Sequence, residues 1–347
     1  MALAECLKIN TSITQINLNR NRIEAEGSAF LATSLSVNNT LNLDKCDFPD
    51  FNDKECLKLL NLSDDFSNKS NKDIVTYLRE MSTSGSITVH RTRLFLVGSG
   101  RAGKTTLVRK LTSNTFVENF RQMTDGIAMS ELRVDEIEFR VYDFAGQKEY
   151  MHTHRLFFQE DTAVFIAVYR PDSTEDDRRD LELFLEMVYD CAPSAEVILV
   201  TTFADGDSSV RQRALSDDEI KTIRDRNPHT NIVKVIAVDC RTGRGTDDVK
   251  LALRDVALRL PKIRNEIPNS FNSLEMLLKS LTNKNDPKFS ISNAEFFLLA
   301  TEQVKMKDDI ASLAHDLFCS WGIVHQLSNG DVVLQVSITT TVTIIFI

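Results

Sequence analysis

Apolar runs and amphipathic stretches alternate through the middle of the chain. The runs are short and nearly continuous, which is typical of strands buried in a parallel sheet, and they lie at residues 94–97, 163–168, 197–200 and 232–238. The stretches have a helical spacing of apolar residues and lie at 104–111, 180–189, 217–225 and 246–260. Residues 132–141 alternate around a polar turn and indicate a hairpin. This order predicts an α/β fold with a doubly wound sheet, which binds ligands at the carboxyl ends of its strands.

The pattern changes after Pro261, where apolar strands and helices cease to alternate. Helical spacing of apolar residues occurs at 271–281, 293–305 and 308–319. Two short apolar runs, at 322–326 and 332–335, flank Asn329-Gly330, which is a strong hairpin signal. We therefore expect a second, smaller α+β unit in this part of the chain.

The first part of the chain contains an internal repeat with a shift of 28 residues. Its two copies are Leu3, Ala4, Leu7, Asn10 and Ile13, then Leu31, Ala32, Leu35, Asn38 and Leu41. Residues 13–23 match the leucine-rich-repeat consensus of a short strand, an asparagine that bonds the backbone at the turn, and a helix. Only about two repeats are visible, where roughly three are needed for a stable stack. We expect the remnant of a longer array, and helix–strand packing without a recognition role is an equal alternative.

Composition narrows the functional classes. The 347-residue chain has a formal net charge of -9, which disfavours non-specific nucleic-acid binding. Its six cysteines form no CxxC pair, so we expect reduced thiols in a cytoplasmic protein and no zinc site. No signal peptide is recognisable. The apolar stretch at 332–347 is shorter than the ~20 residues of a membrane helix, so we expect a strand there and no transmembrane segment.

The strongest motif lies between the first buried strand and the helix that follows it. Residues 98–105 read Gly-Ser-Gly-Arg-Ala-Gly-Lys-Thr and match the phosphate-binding loop G-x-x-x-x-G-K-[ST]. Backbone N–H groups and the positive end of the helix dipole face the phosphates in such a loop. We expect Lys104 to neutralise the β- and γ-phosphates and Thr105 to ligate Mg²⁺. The predicted nucleotide contacts are Gly98, Ser99, Gly100, Arg101, Ala102, Gly103, Lys104, Thr105 and Thr106.

Residues suited to hydrolysis follow this loop in order. Asp143 ends the strand at 137–141, where an acid can hold Mg²⁺ through water. The N–H of Gly146 can approach a γ-phosphate, and Gln147 is placed to orient the attacking water. Thr124 lies where a switch segment closes over the γ-phosphate and completes the Mg²⁺ shell. The predicted catalytic residues are Gln147, Lys104 and Thr124, and the predicted metal ligands are Thr105, Thr124 and Asp143.

A candidate base site follows the strand at 197–200, in the sequence Thr202-Phe203-Ala204-Asp205. The Asp205 carboxylate can accept two hydrogen bonds from guanine, which adenine cannot donate, and a buried acceptor left unpaired discriminates strongly. We expect Thr202 and Asp205 to contact the nucleotide, together with the backbone at Cys240, although a plain loop there is an equal alternative. The predicted cofactors are GTP or GDP and Mg²⁺, and an ATPase is the alternative against which Asp205 argues.

These elements in this order resemble the small-GTPase superfamily, and their details resemble the Roc domain of Roco proteins. The details are Thr124-x-Gly126-Ile127, the run from Asp143 to His154, and Thr-x-Ala-Asp205. The segment from about Pro268 is similar to the start of a COR domain. The resemblance implies a P-loop GTPase at 91–262, preceded by a leucine-rich-repeat remnant at 1–62 and a linker at 63–90, and followed by a partial α+β COR-like domain at 263–347.

Three departures modify this expectation. Phe203 stands where Roco proteins commonly carry histidine, and Asp239 stands where a small hydroxyl residue is common, near the base. The COR-like part stops before the half that would dimerise, so dimerisation stays open.

The spacing His152-x-His154 suits a metal, but it lies in the expected switch segment with no third ligand near.

The function implied by the resemblance is a GTP-binding switch with slow, Mg²⁺-dependent hydrolysis in intracellular signalling. The alternative is a weakly hydrolysing scaffold that holds nucleotide. In both cases the expected protein partners bind the repeats and the switch segments.

Overall fold

A computed structural model describes residues 1–116, 127–144, 163–170, 175–202, 215–260, 263–282, 288, 290–327 and 330–334. They form two compact units. The first unit comprises Met1–Val89 together with the described residues from Arg264 onward, and the second comprises His90–Ile263. The boundaries predicted at residues 62, 90 and 262 stay predictions.

Helices and strands are numbered here along the chain. The helices are α1 (Ala2–Ile9), α2 (Ala25–Val37), α3 (Lys54–Leu59), α4 (Asn71–Ser84), α5 (Lys104–Ser113), α6 (Glu175–Cys191), α7 (Asp217–Arg226), α8 (Thr246–Ala257), α9 (Asn269–Thr282), α10 (Asn293–Leu298) and α11 (Asp308–Ser320). The strands are β1 (Ser86–Val97), β2 (Ile127–Val134), β3 (Ile137–Phe144), β4 (Ala163–Tyr169), β5 (Glu196–Thr202), β6 (Asn231–Val238), β7 (Arg264–Pro268), β8 (Ser290–Ile291), β9 (Val324–Gln326) and β10 (Val332–Leu334).

The second unit is built on a sheet in the order β2-β3-β1-β4-β5-β6. Strand β1 pairs in parallel with β3 and β4, and the parallel pairing continues through β5 to β6. Strand β2 is antiparallel to β3, as the hairpin signature at 132–141 predicts. The α/β class and the parallel central strands are confirmed.

Both faces of this sheet are covered, which explains the nearly continuous apolar runs. Side chains alternate along a strand, so Leu94 and Leu96 lie in one core while Phe95 and Val97 lie in the other. The first core includes apolar residues of α5 and α8, and the second includes those of α6. Helices on both faces make the sheet doubly wound and leave the carboxyl ends of its strands for a ligand.

The first unit has a single hydrophobic core to which both ends of the chain contribute. Helix α4 is central to it, although its residues lie in the predicted linker. A capping box formed by Ser70 and Asp73 starts this helix. The Tyr77 ring on α4 lies 4.7 Å from Phe66 and 5.5 Å from Phe271. The segment between the repeats and the sheet is therefore packed structure and not a free connector.

Two asparagines of the predicted repeats donate hydrogen bonds to backbone carbonyls. The Asn21 side chain donates to the Leu18 carbonyl at 2.9 Å, as the consensus predicts for this asparagine. In the second copy, Asn38 donates to the Leu7 carbonyl at 2.6 Å and so joins the two copies. A short parallel bridge also connects them, in which the Leu18 N–H donates to the Asp47 carbonyl at 2.7 Å.

The helix predicted over 293–305 is confirmed for most of its length, but its geometry changes partway along. Helix α10 ends at Leu298 and is followed by one π turn, Leu299–Gln303. Lys305 has a φ of 66°, a left-handed conformation that stops any helix. The hairpin predicted near Asn329-Gly330 is confirmed in its pairing, because β9 and β10 are antiparallel. Strand β8, which the sequence pattern did not indicate, pairs with β10 on the other side.

None of the helices in the described ranges is both long enough and apolar enough to span a membrane.

Candidate functional site

The predicted phosphate-binding loop connects β1 to α5, and glycine is required at two of its positions. Gly98 has a φ of 142°, and a Cβ built there would lie 2.3 Å from the Val168 carbonyl oxygen at the end of β4. Gly103 has a φ of 96° and precedes the first turn of α5. Backbone of this kind strains any other residue. The loop is therefore pressed against the carboxyl end of the neighbouring strand, where nucleotides bind in such sheets.

Lys104 is the first residue of α5, and its side chain turns back into the loop. It is 6% exposed, and its Nζ donates to the carbonyls of Gly98 and Ser99, at 2.8 and 2.9 Å. Burial lowers the pKa of Lys104 to about 8, and the nearby charge of Asp143 opposes this shift. A buried ammonium group that donates to backbone carbonyls can bind phosphate more strongly, because phosphate oxygens are charged acceptors.

The predicted metal ligands Thr105 and Asp143 are brought together. The Thr105 hydroxyl donates to the Asp143 carboxylate, with 2.5 Å between the oxygens. Asp143 is the next-to-last residue of β3 and is 2% exposed. A carboxylate and a hydroxyl suit Mg²⁺, which prefers oxygen ligands and usually takes one or two from the protein and the rest from water and phosphate. The described residues contain no cluster of three or more His, Cys, Asp or Glu that could hold a metal.

Thr202 ends β5 and braces the phosphate-binding loop. Its hydroxyl donates to the Ala102 carbonyl at 2.6 Å and is buried. Its side chain would also lie 3.3 Å from a Cβ at Gly103. Thr202 is predicted among the nucleotide contacts, and in the structure its hydroxyl is bonded to the loop. Its position at a strand end, as the first residue of the base motif, was the available signal for this role.

Cys240 lies in the loop between β6 and α8, as expected, and its thiol is buried. Burial raises the pKa of this thiol to about 11, with a smaller contribution from Asp239, so the sulfur stays neutral at ordinary pH.

Gly245 in the same loop was not predicted as a site residue. It has a φ of 79°, and a Cβ there would lie 2.2 Å from the Ala237 carbonyl oxygen. The two glycines before the predicted helix were the signal for this close approach.

Several predicted residues lie outside the described ranges, so the geometry of the site is given without them. They are Thr124, Gly146, Gln147, His152, His154, Phe203 and Asp205. The described part brings together Gly98, Ser99, Gly100, Arg101, Ala102, Gly103, Lys104, Thr105, Thr106 and Asp143 at the carboxyl ends of β1 and β3.

Comparison with known proteins gives a domain family for the central part of the chain. Residues 93–205 match the family described as Ras of Complex, Roc, domain of DAPkinase. The matched range begins in β1 and includes the phosphate-binding loop and the candidate base motif.

Curated relatives include two large proteins of Dictyostelium discoideum. Cyclic GMP-binding protein C is 26% identical over 240 residues, which is 63% of this chain and 9% of that protein. The probable serine/threonine-protein kinase pats1 is 25% identical over 238 residues, 61% of this chain and 7% of that protein. The chain thus spans less than a tenth of the length of either relative. GTP-binding protein RHO2 of Saccharomyces cerevisiae is 24% identical over 164 residues, 46% of this chain and 85% of that protein.

Among solved structures, that of Methanosarcina barkeri Roco2 RocCORdC bound to GDP is similar to this chain. The TM-score is 0.47 and the sequence identity 20%, with 72% of this chain and 74% of the other covered.

Proposed function

We propose that the chain is a guanine-nucleotide-dependent switch, because residues 93–205 match the Roc domain family. The observation that carries the proposal is the buried Lys104 ammonium, enclosed by its own loop beside the Thr105–Asp143 pair. Lys104 supplies a cation, and Thr105 and Asp143 supply two oxygen atoms that suit a metal. They lie together where the start of α5 meets the end of β3. RHO2, which is 24% identical over 46% of this chain, is a GTP-binding protein.

Binding of phosphate is proposed to redirect Lys104. Its Nζ donates to the Gly98 and Ser99 carbonyls, and phosphate oxygens are stronger acceptors for an ammonium group. The loop N–H groups and the start of α5 add their dipoles to the same site. Thr105 and Asp143 would hold Mg²⁺, which when bound neutralises charge that develops on the phosphates.

Hydrolysis is proposed to depend on two residues outside the described ranges. Gln147 would orient the attacking water, and Thr124 would close over the γ-phosphate. The slow rate expected of such a site reflects the need for a further positive charge at the transition state. A weakly hydrolysing scaffold is the second candidate, favoured by Phe203, because the usual side-chain contact of the base motif is missing there.

Guanine is proposed as the base because Asp205 supplies a paired acceptor for its N1–H and N2–H₂ edge. The backbone N–H groups at Cys240 would face the base oxygen. We place the protein in the cytoplasm, with protein partners at the switch segments and at the repeats of residues 1–62.

Titration calorimetry of the full chain with GDP and with ADP, with and without Mg²⁺, tests nucleotide binding. We expect GDP to bind, more tightly with Mg²⁺, and ADP to bind far more weakly. Equal affinity for GDP and ADP would remove guanine from the proposal.

Multiple-turnover phosphate release from GTP tests hydrolysis separately. The matched control is Lys104→Ala, which removes the phosphate-binding cation and keeps the rest of the site. Release no faster than that of the control would leave the scaffold as the better description.

A further inference from the structure

The loop that follows β6 contains an acid beside the proposed base site. Asp239 occupies the position where a small hydroxyl residue is common, and a carboxylate facing the base would weaken nucleotide binding. It is 7% exposed, so it is enclosed by protein even without a ligand. Whether Asp239 opposes or assists nucleotide binding therefore depends on which groups its carboxylate oxygens contact.

Both carboxylate oxygens of Asp239 accept hydrogen bonds from its own loop. One oxygen accepts from the Arg241 N–H at 2.8 Å, and the other accepts from the Thr242 hydroxyl at 2.9 Å. The first bond closes an Asx turn, in which an acidic side chain bonds the backbone two residues further on. Cys240 is the residue enclosed by that turn.

The main chain of Asp239 fixes the rest of the loop. Its N–H donates to the Arg244 carbonyl at 3.0 Å, and its carbonyl accepts from the Gly243 N–H at 2.8 Å. The Thr246 hydroxyl, at the start of α8, donates to the Gly243 carbonyl at 2.6 Å. The loop thus forms a closed set of bonds centred on one acidic residue.

Two glycines of this loop lie close to neighbouring elements. A Cβ built at Gly243 would lie 3.1 Å from the Cε of Lys110, which belongs to the helix that starts in the phosphate-binding loop. At Gly245 the backbone touches β6 closely enough to exclude any side chain. Loss of the Asp239 bonds would free the short stretch at 240–242 and leave its surroundings in place.

We propose that Asp239 is a positioning residue, which orients the Cys240 backbone toward the guanine base by holding the Asx turn. This role rests on the proposed function, because it assumes that the loop faces the base. The departure from the common hydroxyl residue is then a replacement of one loop anchor by another. The carboxylate is held by the Arg241 N–H and the Thr242 hydroxyl and so supports the loop.

Two substitutions at one position separate positioning from charge. Asp239→Asn removes the charge but keeps an acceptor for the Arg241 N–H and offers a donor to the Thr242 oxygen. Asp239→Ala removes both bonds. We expect Asp239→Ala to weaken GDP binding about tenfold and to leave the weak ADP affinity unchanged, while Asp239→Asn stays within about twofold of wild type. Thr242→Val, which removes one bond, should give a smaller loss.

Calorimetric titration of the full-length variants with GDP and ADP measures these effects, and the thermal midpoint without nucleotide reports folding. Tighter GDP binding by both Asp239 variants would overturn the proposal, because it would mean that the charge repels the ligand. An unchanged GDP affinity in Asp239→Ala, or an equal loss for GDP and ADP, would also overturn it. A wild-type chain that does not bind GDP would instead overturn the proposed function, and this role with it.

Discussion

The indole N–H of Trp321 donates to the carboxylate of Asp65 at 3.1 Å, across 256 residues of sequence. Asp65 follows the repeats, and Trp321 follows α11 near the end of the described chain. The Trp321 ring also lies 6.0 Å from Phe318, which belongs to the core of the first unit. This bond therefore joins the two sequence segments that build one core.

Trp321→Phe should lower the free energy of unfolding of the first unit by about 1 kcal/mol, because it deletes one hydrogen bond to a charged group and keeps most of the packing. Asp65 retains the Ser63 hydroxyl as a donor at 2.9 Å, which limits the loss. Urea unfolding monitored by circular dichroism measures the change. Met276→Ala, at a side chain 62% exposed, is the control and should stay within about 0.5 kcal/mol of wild type. Equal stability of the two variants would contradict the prediction.

Tyr77 should be among the most sensitive positions of the first unit. Its ring packs between Phe66 and Phe271, and its hydroxyl donates to the Glu266 carbonyl at 3.1 Å. Tyr77→Ala should cost about 3–5 kcal/mol, as is usual for a large buried aromatic residue.

Tyr77→Phe is the matched comparison, since it deletes only the hydroxyl and should cost about 1 kcal/mol. Urea unfolding midpoints of both variants give the ratio. A phenylalanine variant as unstable as the alanine variant would show that the hydroxyl, and not the ring, carries the stabilisation.

GDP affinity should fall as the pH rises above about 8. In the nucleotide-free chain the pKa of Lys104 is lowered to about 8 by burial, so the ammonium loses its proton above that pH. Bound phosphate raises this pKa, because it favours the charged form. Binding must then take up a proton, and the dissociation constant should increase by up to about tenfold per pH unit above the lowered pKa.

Calorimetry in two buffers of different ionisation enthalpy measures this proton uptake directly. Lys104→Arg is the control, because a guanidinium keeps its charge throughout the range. The same pH dependence in wild type and in the arginine variant would assign the titration to another group.

Thr202 should influence phosphate binding without a bond to the nucleotide. Thr202→Val removes the hydrogen bond to Ala102 and keeps the shape that packs against Gly103. We expect GDP affinity to fall several-fold, since a net hydrogen bond is about 1 kcal/mol. Thr202→Ser keeps the hydroxyl and should restore most of the affinity. Equal affinities of the valine and serine variants, measured by titration with GDP, would exclude the bracing role.

Local patterns were sufficient to predict the second unit. The nearly continuous apolar run at 94–97 and the glycines around Lys104 identify a strand, a loop and a helix from adjacent residues. The apolar pattern at 137–141 likewise places Asp143 near a strand end. Because β1 and β3 are parallel, this end lies beside Thr105. These inferences succeed because each needs only a short window of sequence and the general geometry of parallel sheets.

The first unit could not be predicted in this way. The apolar face of α4 is visible in its sequence, but nothing near Tyr77 indicates that its partner is Phe271. The direction of the Asp239 carboxylate was equally hidden, because it depends on bonds to Arg241 and Thr242 that form only in the folded loop. The Tyr77–Phe271 contact depends on long-range packing, and the orientation of Asp239 depends on hydrogen bonds within a turn. A pattern of apolar and polar residues gives no information on either.

The discontinuous first unit has a consequence for the order of events on the ribosome. The Arg91 N–H donates to the Ile263 carbonyl at 3.2 Å, so the two ends of the second unit lie side by side, as in a domain inserted into a host. Translation completes the inserted unit before α9 and α11 exist. Residues 1–89 therefore lack core partners such as Phe271 while the nascent chain lengthens by more than a hundred and seventy residues. Such a delay makes this segment a natural client for chaperones during synthesis.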